Sequence, residues 1–539
     1  MRTETSLAGR ILDCLAAAGA DTIFGLPGVH NLAFWRESGP DLPRIVGVRH
    51  EQTTVYAADG LARATGGLGV ALTTTGPGAA NALAAFGEAA ASRSPVLLIA
   101  TEIPSTLVRP GVVRGVLHES RDQAVMFAPL AKAVFTPRTP EQAGTDIGLA
   151  VQSALSSPRG PVYVDIPADL LDAPAAKIDI PAPTTPQPDP ADIDRLAAEI
   201  AAARRVVIWA GGGVPAAGGE GALAALAERL HAPVVTSWPG RGALPPGHPW
   251  LVGLPPHDPG VATLIGAADL LLAVGTRFDG PTTRNWTMPT SRRLASINAD
   301  PTAFAANYPA DVTVHGDAAL VLVALAERVT QRDGPNPISE LRRSGAERLA
   351  ANPEHADPLR LVAAVEQAVD RQTSVLADMC VPGYWWAGYG AVAGPRRLQY
   401  PMGWGTLGYA LPASVGAATA GGPVLVLCGD GGLMMGVGEL ATLAQEQLPV
   451  TVLVADDGGY GMLRYDQQRL GDPHRGVDLH TPDWTHLGAA FGIPVTVLDG
   501  IDERLAPALT RALAAGRPRL VVVQASMVPP PTTSPRWRD

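Results

Sequence analysis

VLVADDGGYG, residues 452–461, joins an unbroken apolar run to two adjacent carboxylates and two glycines. The run 452–455 does not alternate between apolar and polar residues, so it reads as a strand covered on both faces. Two like charges at the mouth of such a strand call for a reason. The same construction occurs upstream, where VLVLC (424–428) runs into Gly429, Asp430, Gly431 and Gly432. Asp457 follows Asp430 by 27 positions (457 − 430), room for one helix and the next strand. In a doubly wound parallel sheet neighbouring strand ends converge, and ligands bind at those carboxyl ends. Glycines there let backbone N–H groups approach an anion. An acid between them would repel that anion unless a divalent cation bridged the two, and Asp430 with Asp457 offers the oxygen ligands that Mg²⁺ prefers. Taken singly, GDG or DDGG is an ordinary turn. Two such acids at matching strand ends favour the cation.

Further runs of the same kind are VLLIA (96–100), VYVDI (162–166), VVIWA (206–210), LLLAV (270–274), VTVLVA (450–455) and LVVVQ (520–524). Ala/Leu-rich segments between them supply helices, which gives an α/β fold of doubly wound parallel sheets. Proline-rich residues 167–193 and the shorter break RDGPNPIS (332–339) divide the chain into three units: residues 1–170, 190–332 and 355–539. A helix is expected at 340–350. The first helix should begin near residue 6 with Thr5 or Ser6 as its cap, and the tail 529–539 should be extended because of its prolines.

The 539 residues carry a net charge of −10 and 46% apolar side chains. No basic excess is present to displace counterions, so neither nucleic acid nor an anionic membrane is an expected partner. No apolar run reaches the length of a membrane span. Three scattered cysteines, Cys14, Cys380 and Cys428, show neither disulfide nor zinc spacing and suit a reducing cytoplasm.

GDG followed at this spacing by a residue pair before Gly-Tyr-Gly resembles the signature of thiamine-diphosphate enzymes, with Asp456-Asp457 where the family has Asn-Asn. RHEQTTVYAADGLARATG (49–66), TTTGPGAAN (73–81), GWGTLGYALPASVGAA (403–418) and GLPGVHNL (25–32) resemble segments of acetolactate synthases and 2-oxo acid decarboxylases. The resemblance covers nearly the whole chain. It implies a pyrimidine-binding, a central and a diphosphate-binding domain, with thiamine diphosphate and Mg²⁺ as cofactors.

The resemblance places Glu51 at the aminopyrimidine ring, where a carboxyl group shares a proton with the heterocycle. Read alone, Glu51 is a solvated surface acid. Leu407 matches the residue that wedges the two rings into a V, and Gly405 the one whose carbonyl meets the ring's amino group, where a side chain would crowd it. The family pattern makes Asp430, Asp457 and the carbonyl of Gly459 the Mg²⁺ ligands, with Gly429, Gly431 and Gly432 beside the diphosphate. Asp457 adds a charge that asparagine lacks, and Gly432 removes a hydroxyl that serine often supplies. Asp456 is expected to stabilise the strand end or point to solvent.

His118, in VRGVLHESRDQ (113–123), matches a proton-relay histidine of related decarboxylases, although a loop histidine reads equally well. Glu119 replaces the second histidine of a pair, and Gln123 suits a polar pocket wall. Val29 stands where some decarboxylases keep an acid, with His30 beside it. AGGG (210–213) and RFDG (277–280) resemble segments near the flavin of acetolactate synthases, yet the sequence does not support FAD. Trp385-Trp386 reads as core or pocket wall.

The implied activity is cleavage or formation of a C–C bond next to a carbonyl, foremost decarboxylation of a 2-oxo acid. Carboligation of acetolactate-synthase type and a catalytically degenerate binding subunit are the alternatives, the latter favoured by the altered Asn pair. A nicotinamide dehydrogenase rests only on glycine-rich turns and lacks G-x-G-x-x-G after the first strand. A homodimer or homotetramer is expected, Glu51 of one copy facing Asp430 of another.

Overall fold

The computed structural model describes residues 5–37, 39–109 and 111–531. Among the described residues, seventeen strands form three all-parallel sheets covered by helices. The first contains β1 (Thr22–Gly25), β2 (Arg44–Gly47), β3 (Gly69–Thr73), β4 (Val96–Glu102), β5 (Ala133–Phe135) and β6 (Val162–Pro167), in the order β2-β1-β3-β4-β6-β5. The second contains β7 (Val206–Ala210), β8 (Val234–Thr236), β9 (Leu270–Val274), β10 (Leu294–Asn298) and β11 (Val312–His315), in the order β11-β10-β9-β7-β8. The third contains β12 (Ser374–Ala377), β13 (Leu398–Gln399), β14 (Val424–Gly429), β15 (Val450–Asp456), β16 (Val495–Leu498) and β17 (Arg519–Gln524), in the order β13-β12-β14-β15-β17-β16.

The first and third sheets therefore have one topology. In both, the chain leaves the first strand for one edge and returns to the other side, opening a crevice between strands one and three at the carboxyl ends. The non-alternating runs occupy central strands: every residue of β3, β4 and β6 is buried, as is all of β14 and β15 except their last residue.

One apolar core runs through the first and third domains together. Helices Glu51–Thr65 and Ala410–Thr419 make that junction. A Cβ on Gly60 would run into the carbonyl oxygen of Ala413, and one on Gly416 into that of Ala57. Two small residues thus let the helix backbones touch. Gly416→Ala must push the helices apart, with an expected cost of about 1–3 kcal/mol; a lowered thermal midpoint of the full chain is the measurement.

Beside this contact lies a buried polar network. Arg63 pairs with Asp59 (2.7 Å) and Glu88 (3.0 Å), and its guanidinium lies 5.1 Å from the Tyr409 ring centroid. The central domain has its own core. Arg241 ties it to the third domain by donating to the carbonyls of Gly388 and Gly390.

Helix Leu7–Ala17 is capped by Ser6, whose hydroxyl accepts from Gly9 N–H at 3.1 Å. Helix Ile338–Ala350 lies at the second break. Trp385 and Trp386 are core residues, 0% and 1% exposed. The expected extended tail falls mostly outside the described residues, at 532–539. Among the described residues, no helix is long and apolar enough to cross a membrane.

Candidate active site

The third sheet brings three acids to its carboxyl edge. Asp378 follows β12, Asp430 follows β14, and Asp457 follows β15. Asp430 opens a short helix, Asp430–Met435, for which Gly429 is the cap. The helix expected between the two strands spans Glu439–Glu446 and is preceded by this additional turn.

Asp430 is 1% exposed, and neither carboxylate oxygen has a hydrogen-bond partner. Oδ1 of Asp457 is likewise buried and unpartnered. Burial pushes Asp430 up to about 6, with the charge of Asp457 adding to it. Burial also raises Asp457, against the pull of Arg464. Enclosed carboxylate oxygens without a hydrogen bond are costly as they stand, and a hard divalent cation between the two acids would remove that cost. No three His, Cys, Asp or Glu side chains cluster for a metal among the described residues.

Asp456 does not point to solvent. Its Oδ2 accepts from Trp484 Nε1 at 2.6 Å and its Oδ1 from Gly458 N–H at 3.2 Å, which pins the strand end. The opening pair of acids thus divides its labour: Asp456 is tied up within the fold, and Asp457 keeps Oδ1 free of hydrogen bonds.

Asp378 was not singled out in the sequence. It is 2% exposed and accepts from the backbone N–H groups of Met379, Gly408 and Tyr409 at 3.0, 2.9 and 3.3 Å. Burial outweighs these bonds and pushes it up to about 6. Its Oδ2 would stand 2.6 Å from a Cβ on Gly432, so a serine cannot fit there unless Asp378 moves. That accounts for the missing hydroxyl.

The loop 403–408 is held from both outer domains. Asp378 grips its end, and helix Leu83–Ala91 of the first domain grips its body. Trp404 packs on Gly87, Gly403 on Ala91, and the Thr406 hydroxyl donates to Glu88 Oε2 at 3.2 Å. Gly405 has φ +79°, and a Cβ there would meet nothing of the chain within 4 Å. Within the chain, backbone handedness and not crowding requires the glycine. Leu407 is 40% exposed and so is not an ordinary core leucine.

The first domain supplies a second group of side chains. Glu51 begins helix Glu51–Thr65, is half-buried, and accepts from Asn81 Nδ2 at 3.0 Å. Its Oε1 would be 3.7 Å from a Cβ on Gly78. The loops after β1 and β3 meet here, where His30 Nδ1 lies 2.7 Å from Thr75 Oγ1. The His30 and His118 rings are 5.6 Å apart and edge-on. Burial, then His118, lowers the pKa of His30. His118 sits at φ +69°, an uncommon region for a side-chain-bearing residue, and its Nδ1 is buried without a partner.

Gln123 is a buried wall that accepts from Gly76 N–H at 2.6 Å and donates to Thr101 O at 3.0 Å. Glu119 turns away from the imidazoles and accepts from Arg114 and Val116 N–H groups, bracing its own loop. Val29 is 77% exposed. His30 was given little weight in the sequence. Its pairing with His118 depends on two loops far apart in the chain, and no local signal marks it.

In the central domain, AGGG packs glycine against backbone: a Cβ on Gly213 would lie 2.6 Å from Gly275 Cα. Around RFDG, Arg277 donates to Ala91 O (2.7 Å), Asp279 caps helix Gly280–Thr283, and Asp300 pairs with Arg93.

Residues 5–126 match the thiamine pyrophosphate enzyme N-terminal TPP binding domain, 193–325 the central domain and 380–523 the C-terminal TPP binding domain. A protein of Pseudomonas aeruginosa named "Probable 2-ketoarginine decarboxylase AruI" is 38% identical over 524 residues, covering 95% of this chain and 92% of its own. The "Probable acetolactate synthase large subunit" of Methanocaldococcus jannaschii is 30% identical over 560 residues, covering 96% and 93%. The "Acetolactate synthase isozyme 3 large subunit" of Escherichia coli is 30% identical over 535 residues, covering 93% and 91%. With both acid-bearing crevices built by the first and third sheets, and all three domains matched in order, the chain belongs to the thiamine pyrophosphate enzymes.

Proposed function

We propose that this protein decarboxylates a 2-oxo acid, using thiamine diphosphate anchored through Mg²⁺. The observation that carries the reading is the pair of acids at the carboxyl edge of a parallel sheet: buried Asp430, with neither oxygen hydrogen-bonded, and Asp457, whose Oδ1 is likewise without a hydrogen bond. In this reading Asp430, Asp457 and the Gly459 carbonyl hold the cation. Gly429, Gly431 and Gly432 leave the backbone open to the diphosphate. Gly405 and Leu407 orient the ring system, and Glu51 holds the proton that its heterocycle exchanges. Thiamine diphosphate, when bound, supplies the carbon nucleophile and the electron sink for loss of CO₂. His118 and His30 stand beside the Glu51 crevice and handle protons at the substrate. An imidazole pair suits delivery of a proton to the decarboxylated unit, which yields an aldehyde.

Trp404, Leu407, Met434 and Met435 are all 40% exposed or more in the single chain. So much uncovered apolar surface supports a homodimer or homotetramer, with Glu51 of one copy facing the Asp430 crevice of another. A cytoplasmic site of action accords with the cysteine usage. The reading includes no flavin.

A second reading, ligation of the decarboxylated unit to another carbonyl, is favoured by the relatives named acetolactate synthases. One assay separates them. The loaded protein is given a panel of 2-oxo acids, from pyruvate to one bearing a guanidino group, with and without acceptor aldehydes. Release of CO₂ with the matching aldehyde is expected. A ligated product in place of the aldehyde would favour the second reading. Cofactor binding without turnover of any acid would leave a binding subunit.

A further inference from the structure

We propose that Arg464 is a positioning residue that balances the charge of Asp457, so that the cation-binding loop accepts an anionic diphosphate. The inference rests on the reading of Asp430 and Asp457 as cation ligands. An asparagine at 457 would ligate a cation while adding no charge. An aspartate there puts a further negative charge beside a ligand that is itself an anion. Something must offset it, and the structure places one guanidinium at that point.

Arg464 lies in helix Gly461–Leu470, which starts directly after the loop. Its side chain turns back along three consecutive loop residues. Nη1 stands 3.8 Å from Asp457 Oδ1 and donates to the Asp457 carbonyl at 3.0 Å. Nη2 donates to the Gly458 carbonyl at 3.0 Å and would lie 2.5 Å from a Cβ on Gly459. Nε donates to Asp478 Oδ1 at 2.9 Å. Asp478 pairs with Gly459 in an isolated antiparallel bridge, closed by Tyr460 N–H to Val477 O and Leu479 N–H to Gly458 O, both 2.8 Å.

The planar fork suits this arrangement, since it spends directed donors on carbonyls while keeping its charge against the carboxylate. Both side chains are largely enclosed, 20% exposed for Arg464 and 13% for Asp457, so solvent screens the pair less than a surface one. Asp456 already has its own donors, and Asp478, which shares the guanidinium through Nε, is 64% exposed, so solvent screens its claim on the charge more than that of Asp457.

The test is a double-mutant cycle on the full chain, read by calorimetric titration of thiamine diphosphate at saturating Mg²⁺. Arg464→Gln should weaken cofactor binding at least tenfold. Asp457→Asn in the Arg464→Gln background should restore affinity to within about threefold of wild type, because the charge needing balance is gone. Arg464→Lys keeps the charge without the fork, and should lose less than Arg464→Gln. If Arg464→Gln binds like wild type, or its loss persists in the double variant, the inference fails. If Arg464→Gln does not fold, the lysine variant decides: a tenfold loss there, with charge retained, also overturns it. Failure of the wild-type chain to bind the cofactor would instead overturn the proposed function.

Discussion

Replacing Glu51 by glutamine is expected to lower kcat by about 10²–10⁴-fold, the usual worth of a positioned proton-transfer group. The fold should be indifferent. Glu51 is half-buried at a helix start, and its side chain accepts a hydrogen bond from Asn81, which a glutamine carbonyl can also accept. Cofactor affinity should therefore hold within a few-fold while turnover collapses. Calorimetric binding alongside single-turnover rates on the best substrate makes the check. An E51Q protein that turns over normally would move the proton function to another group and remove the reason for placing the ring next to this helix.

Asp430→Asn should have the opposite profile: large loss of cation and cofactor binding, with gain of stability in the empty protein. Asp430 is 1% exposed and neither oxygen has a partner, so its charge is a cost to the unloaded fold. In the folded chain its pKa is pushed up from 3.8 to about 6. Between those values the folded state holds a proton that the unfolded state has released. The contribution of this group to stability is full below about pH 4 and is lost as pH rises through about 6. A shift of that size corresponds to roughly 3 kcal/mol as an upper figure. Chelator-treated protein should accordingly be more stable to denaturant near pH 5 than near pH 7 as far as this group decides, and Asp430→Asn should flatten that slope. Saturating Mg²⁺ with cofactor should flatten it in the wild type. A steeper slope in the variant would mean that the carboxylate is satisfied in some way the structure does not contain.

Much of this was legible in the amino-acid sequence, for identifiable reasons. Strands such as 96–100 and 424–428 announce themselves because burial on both faces forces unbroken apolar runs. Asp430 and Asp457 stood out because each follows such a run and meets glycine. The turn of helix on Asp430-Gly431-Gly432 was not legible, since glycine opposes helix and only tertiary packing holds it there. Asp378 follows a strand of only four residues, SVLA, too short to mark its end as special. The pairing of His30 with His118 and the back-turned Arg464 depend on loop geometry that no period or spacing encodes. For Gly405 the structure adds a reason for glycine that the sequence does not show, its left-handed backbone. The common strand order of the outer sheets was invisible because parallel crossovers hide adjacency.

The glycine-notched helix pair has a consequence for synthesis. Helix Glu51–Thr65 docks against a helix that begins 345 residues after its own end (410 − 65). A ribosome adding 5–20 residues per second needs on the order of 20–70 s to cover that gap. Throughout that interval the emerged N-terminal unit presents a bare apolar face, cut to receive a backbone not yet translated. Chaperones that survey nascent chains should engage this protein there, and release it once residue 419 has cleared the exit tunnel.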